Sequence, residues 1–151
     1  MPPAGFVIRP ARGDDLADLI ELYHHLNHDP DPDPEPALAR ERFAAILAQP
    51  GMTVLIGFAD GRAAATVTLI VVPNLTRKGA PYALIENVVT HADHRKRGYA
   101  GALIRMAIDQ AWNGGCYKVM LLTGSTDPAT LRFYEGCGFL QNKTGFQIRR
   151  A

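Results

Sequence analysis

Tyr82-Ala83-Leu84-Ile85-Glu86-Asn87-Val88-Val89-Thr90, followed four residues later by Arg95-Lys96-Arg97-Gly98-Tyr99-Ala100, is the stretch whose reading decides the fold of this chain. The first segment is rich in apolar and β-branched residues and predicts a strand over 82–90. From Tyr99 onward the pairs Tyr99/Ala100, Leu103/Ile104, Ala107/Ile108 and Ala111/Trp112 recur every four residues, which predicts one long amphipathic helix. Gly98 and Ala100 stand where the loop becomes that helix. Small side chains there let backbone N–H groups approach an anion closely, and the positive end of the helix dipole favours negative charge. Arg95, Lys96 and Arg97 add cationic groups around the same point. The turn therefore reads as an anion site at the start of a helix. A dinucleotide-binding unit would place its glycines near the first strand with an acidic residue about 20 positions on, and a P-loop would need Gly-Lys-Ser/Thr; neither pattern occurs.

Working outward, Val119-Met120-Leu121-Leu122 is a continuous apolar run, expected to be a strand buried on both faces and parallel to the 82–90 strand after a right-handed crossover. Thr53–Ala59 and Arg62–Val72 flank Asp60-Gly61, a two-residue hairpin signal. Phe6-Val7-Ile8 predicts a first strand. Leu16, Leu19, Ile20, Tyr23 and Leu26 follow at helical spacing, with Asp14 or Asp15 available as an N-cap. Pro30, Pro32 and Pro34 alternate with Asp and forbid regular helix, and Leu38, Phe43, Ile46 and Leu47 then resume a helical face. Asp127 as N-cap, Pro128 at the first helical position and Gly138 past the end frame a last helix over 129–137. Phe139–Arg150 is expected to close the sheet. The order β-α-α-β-β-β-α-β-α-β, with one or two strands at the end, describes an α+β domain with a mixed sheet, spanning 1–151 without an internal linker.

A chain of 151 residues buries roughly two thirds of its unfolded surface in one core. Sixteen Lys+Arg against fifteen Asp+Glu leave a formal charge of +1, and no block of like charge suggests a nucleic-acid partner. The most apolar stretch, 63–72, is far shorter than the ~20 residues of a membrane helix, and the start carries no signal-peptide pattern. These readings predict a soluble cytoplasmic protein. Cys116 and Cys137 are then expected as free buried thiols.

The Arg-x-x-Gly-x-Ala turn after Val88-Val89-Thr90, with Phe133-Tyr134-Glu135 and Gly138-Phe139 later in the chain, resembles the GNAT N-acetyltransferase superfamily. The likeness in element order covers nearly the whole chain, while the specific motifs lie between Glu86 and Phe139. It implies a mostly antiparallel sheet with a splayed parallel pair and helices on both faces. It further implies that acetyl-CoA is the cosubstrate, its pyrophosphate held by amides from Lys96 to Gly101, including Gly98, Tyr99 and Ala100. Its pantetheine would bond the backbone of Val88, Val89 and Thr90 like an added strand, with Thr130 and Phe133 nearby. Ala100 stands where the motif commonly has glycine. Because two parallel strands must part to admit that arm, irregular pairing, such as a bulge, is expected around Asn87 and Val88.

Acetyl transfer needs a neutral amine, an oxyanion stabiliser and help for the departing thiolate. Glu86 interrupts an otherwise apolar strand, where desolvation would raise its carboxylate toward a useful base. An amine of pKa ~10 is short of its neutral form by about 4 kcal/mol at neutral pH, whereas one of pKa ~8 needs far less help. Tyr134 matches the superfamily tyrosine beside the thioester sulfur, and hydrogen bonding to the thiolate is its expected role. A backbone N–H near Val88 or Val89 is implied for the carbonyl oxygen. His24, Asn27, His28 and Asp29 precede the Asp/Pro loop and are expected to shape a pocket for a small-molecule amine; no third ligand at metal spacing accompanies His24 and His28, so no metal is expected. Gly115-Cys116-Tyr117-Lys118, Phe133-Tyr134-Glu135, Cys137-Gly138-Phe139 and Gln147-Ile148-Arg149 also resemble the glucosamine-6-phosphate N-acetyltransferases. Asn87 and Leu122 stand where that family has aspartates, Thr130 where it has asparagine, and the Thr123–Asp127 connection is longer. A non-catalytic acetyl-CoA-binding module is the contrasting expectation. Exposed sheet edges and the superfamily likeness predict a homodimer.

Overall fold

A computed structural model describes residues 2–150. Among them five strands, β1 (Phe6–Pro10), β2 (Met52–Ala59), β3 (Arg62–Val72), β4 (Tyr82–Thr90) and β5 (Val119–Met120), lie side by side in chain order. The first three pairings are antiparallel and β4–β5 is parallel. Helices α1 (Leu16–Tyr23) and α2 (Pro36–Ala48) separate β1 from β2; a single turn, α3 (Thr76–Gly79), precedes β4. Helix α4 (Tyr99–Asn113) is the crossover from β4 to β5, and α5 (Pro128–Gly136) follows.

Strand alternation sorts the side chains into two cores. Leu55, Val67, Leu69, Ala83 and Ile85 meet Leu103, Ile104, Ala107 and Ala111 of α4 on one face. Val54, Ile56 and Val89 meet Leu19 and Leu22 of α1 and Phe43 of α2 on the other. Helices thus cover both faces, as expected. Asp60 and Gly61 both take positive φ, 50° and 79°, and close the β2–β3 hairpin. Asp127 caps α5, its carboxylate accepting from the Ala129 N–H at 2.9 Å, with Pro128 first in the helix.

Three expectations are corrected. Asp15 occupies the N-cap position of α1 as expected, but its side chain makes no capping hydrogen bond to that helix. Asp15, buried, instead binds the Arg9 guanidinium through both oxygens at 2.7 and 2.9 Å and accepts the Arg12 N–H, so a strand-to-helix ion pair replaces the cap. The run at 119–122 forms a ladder only over Val119–Met120, is partly buried, and leaves Leu122 72% exposed. Parallel pairing with β4 holds, but among the described residues no strand lies beyond β5 to bury its outer side. Finally, 139–150 forms no strand. Phe139 packs on the α4-side core, after which Leu140, Phe146 and Ile148 find no surface of their own chain and stand 79%, 92% and 98% exposed. No helix of the described residues is long and apolar enough to cross a membrane.

Candidate active site

Gly98 is the N-cap of helix α4, and its φ of +80° is a conformation that L side chains reach only with strain; Lys96, two residues earlier, also has positive φ at 63°. The first intrahelical bond runs from the Ala102 N–H to the Gly98 carbonyl at 3.1 Å. The amides of Tyr99, Ala100 and Gly101 are therefore not used by the helix and face outward at its positive end. Lys96 and Arg97 are exposed beside them. Tyr99 contributes only its backbone, because its ring stacks on Phe6 at 4.1 Å beneath β1. Arg95 is turned away from this anion site: its guanidinium donates to the Thr90 and His25 carbonyls, each at 3.4 Å.

The strand that leads into this turn is open on one side. Its parallel ladder with β5 consists of Ala83↔Val119 and Leu84↔Met120, so from Ile85 onward no strand of the described residues lies on that edge of β4. On its other side β4 carries a bulge: Thr68 pairs with Glu86 and Thr66 with Val89, which sets Asn87 and Val88 together against Val67. Asn87 takes φ of 52°. The irregularity expected around Asn87 and Val88 lies at those two residues. An extended arm fits this edge: free backbone groups run from the end of the ladder toward the amides of α4.

Helix α5 closes the far side. A Cβ placed on Gly101 would come within 3.9 Å of the Phe133 ring, so α5 touches the first turn of α4. Phe133, Tyr134 and Val88 pack against the same core cluster. Tyr134 lies between Phe133, with ring centroids 5.1 Å apart, and Phe139, at 6.3 Å. Burial pushes its phenol above the ordinary value, with Cys137 adding to the rise. Such a phenol stays protonated at neutral pH and is a hydrogen-bond donor, not a source of free protons. Thr130, at the start of α5, shares a hydroxyl contact with Ser125 at 3.3 Å. Cys116 is buried and Cys137 half-buried; both are free thiols that burial pushes upward.

Glu86 projects on the α1 side, where its cross-strand partner is Thr68. Its side chain is exposed, since the β5 ladder stops two residues earlier. The chain alone does not provide the desolvation expected from the sequence. Tyr23 of α1 is half-buried nearby; burial raises its phenol, offset in part by the adjacent Thr68 hydroxyl. The sequence marks Tyr23 only as part of the apolar α1 stripe, whereas Thr68, opposite Glu86, is announced by the alternation of Thr66 and Thr68 with Ala65, Val67 and Leu69, a polar line on one strand face. His24 pairs with Asp33 at 2.7 Å and ties down the Asp/Pro loop. His24, Asn27 and Tyr23 border a cavity of about 270 Å³ whose floor is Leu19, Phe43 and Val54. His28 is exposed outside it. The geometry brings the turn, the β4 edge and Phe133/Tyr134 together; the His24 group is set apart on the α1 side.

Residues 16–139 match the model of the acetyltransferase (GNAT) family. A solved structure from Agrobacterium tumefaciens str. C58, assigned as an acetyltransferase, is 53% identical and superposes with a TM-score of 0.91, covering 95% of this chain and 99% of that one. Glucosamine 6-phosphate N-acetyltransferase 1 of Oryza sativa subsp. japonica is 31% identical over 136 residues, 89% of this chain and 81% of its own. A transcriptional regulator from Bacillus halodurans C-125 is 27% identical with a TM-score of 0.84, covering 96% and 99%. With a family match over most of its length, this chain belongs to the GNAT family and is an acetyl-CoA-dependent acyltransferase.

Proposed function

We propose that this protein transfers the acetyl group of acetyl-CoA directly to a primary amine of a small molecule, within a ternary complex. The observation that carries the reading is the open β4 edge: a ladder that ends at Leu84↔Met120, a bulge at Asn87, and unused amides at Tyr99, Ala100 and Gly101 form one continuous track. In this reading Gly98 and the amides of Lys96 to Gly101 hold the pyrophosphate, with Lys96 and Arg97 adding charge. Val88, Val89 and Thr90 bond the pantetheine, and Thr130 and Phe133 flank it. An N–H of Val88 or Val89 holds the carbonyl oxygen as it gains charge. Tyr134 donates to the departing sulfur, the role that suits a raised phenol. Glu86 takes the proton of the attacking amine directly or through water; being exposed, it acts by position, or becomes desolvated only when the acceptor covers it.

Glucosamine 6-phosphate is the specific acceptor to test first, because relatives at about 30% identity carry that activity in their names. Asn87, Leu122 and Thr130, where that family differs, argue for a different amine. We place the reaction in the cytoplasm and the chain in a homodimer.

Thiol release from acetyl-CoA, measured over amino sugars, aminophosphonates, polyamines, amino acids and peptides, tests the proposal. We expect one class to raise turnover far above hydrolysis. Tyr134→Phe should then lower kcat by about a hundredfold while leaving CoA affinity within about twofold. CoA binding without turnover on any amine would leave only a binding module, and an unchanged kcat would remove Tyr134 from the mechanism.

A further inference from the structure

The end of α1 and the connection from β4 to α4 meet at four points, all on or beside His25. The His25 Nδ1 accepts the Ala92 N–H at 3.3 Å. Its carbonyl accepts the Arg95 guanidinium at 3.4 Å. Its ring lies against His91, centroids 4.0 Å apart. One turn back, Glu21 approaches the His91 Nε2 at 3.6 Å. The rings continue from His91 to His94 at 5.7 Å and from His94 to Tyr99 at 6.1 Å, ending at the first residue of α4. Arg95, the first residue of the basic turn, is held by His25 and Thr90.

We propose that His25 is a positioning residue that fastens the cofactor turn to α1, and that it does so only as the neutral imidazole. The proposal rests on the assignment of the Arg95–Ala100 turn to acetyl-CoA. The chemistry is one of donor and acceptor: Ala92 offers an N–H, so the Nδ1 facing it must carry a lone pair. Protonation turns that acceptor into a donor and sets two donors against each other. It also places a cation beside Arg95 and against the His91 ring. The groups that face His25 are Glu21 from α1 and His91, Asp93 and Arg95 from the connection; Glu21 and Asp93 favour the cation, Arg95 and His91 oppose it. Burial first, then His91 and Arg95, holds His25 below its ordinary value. The fastening is therefore complete at neutral pH and is lost as the pH falls through that lowered value. Because α1 runs directly into the loop bearing His24, Asn27 and His28, the same contact joins the donor turn to the acceptor-side segment.

The test is the dissociation constant of CoA, followed by calorimetry from about pH 8 to pH 5, for wild type, His25→Ala and His25→Asn. Asn carries an oxygen where Nδ1 stands and does not titrate. At pH 8, His25→Ala should weaken CoA binding by about tenfold, and His25→Asn by no more than about threefold. On acidification the wild type should lose about tenfold more affinity than His25→Asn, whose curve records the titration of CoA itself and of the remaining residues. Parallel curves for wild type and His25→Asn, or full affinity of His25→Ala at pH 8, would overturn the proposal. Absence of CoA binding by the wild type at every pH would instead bring down the cofactor assignment and this inference with it. Thermal unfolding of each variant separates loss of the turn from loss of the fold.

Discussion

Asp15 shows how much one carboxylate carries when it lies between a strand and a helix. It is 4% exposed, pairs with Arg9 through both oxygens and takes the Arg12 N–H, so three hydrogen bonds favour its ionised form. The Arg9 hydrogen bonds hold it below the usual carboxylate range; burial opposes them, and the Arg12 N–H adds to the lowering. The sign follows: the contribution to stability is fully present above the unfolded carboxylate value near 4 and is lost as pH falls through the lower folded value. Asp15→Asn should cost about 2 kcal/mol at pH 7, read by urea unfolding, and the difference from wild type should shrink below pH 4. A difference that does not change between pH 7 and pH 3 would show that shape, not charge, is what Asp15 supplies. Residues of this kind were hidden in the sequence. Asp15 read as a local cap because its partner Arg9 lies on a different element, and His25 did not stand out among five histidines because its partners are some 67 to 70 positions away. The helix start behind Gly98 was legible, because the apolar pairs from Tyr99 onward recur every four residues and Gly98 stands just before them; the roles of Gly98 and Tyr134 remain part of the proposal.

Among the elements, β4 carries the bulge and the open edge on which the proposed site rests, and the bulge can be tested. Glu86 and Val89 face the α1 side, Val88 the α4 side, and Asn87 is the additional residue. Deleting Asn87 would set Val88 alone opposite Val67 and leave every apolar side chain on its present face. The fold should survive, and the free edge should straighten. We expect the deletion variant to melt within several degrees of wild type yet lose about a hundredfold in kcat/KM for acetyl-CoA, since misplacement by about 1 Å costs that much. Unchanged kcat/KM would mean that the bulge has no part in admitting the cosubstrate. The hairpin at Asp60-Gly61 and the cap at Asp127-Pro128 were legible because both are encoded within four residues. The short β5 was not, since an apolar run shows that a strand is possible and not how far its neighbour accompanies it.

At the scale of the whole molecule, the open edge beyond β5 and the tail after Phe139 pose one problem. β5 is the last strand of the sheet, and Leu122 beside it is exposed. The tail runs past this corner, so that a Cβ on Gly145 would meet the Leu122 side chain at 2.9 Å, but it forms no ladder there. Phe146 and Ile148 alternate with polar Gln147, the pattern of a strand with one face to bury. Burying Leu122, Leu140, Phe146 and Ile148 is worth about 2 kcal/mol each, enough to offset much of the entropy lost on association. We propose that a second copy would supply both what the tail lacks, an edge and an apolar surface, and what the edge lacks, a strand, so that the segment expected to close the sheet of its own chain would be covered in a homodimer. Sedimentation velocity at about 10 µM should give a dimer for the wild type, and Phe146→Asp with Ile148→Asp should give a monomer, because two buried carboxylates cost several kcal/mol in the interface and little in the exposed tail of a free chain. A monomeric wild type, or a double variant that remains dimeric, would show that this corner of the sheet is not where two copies meet.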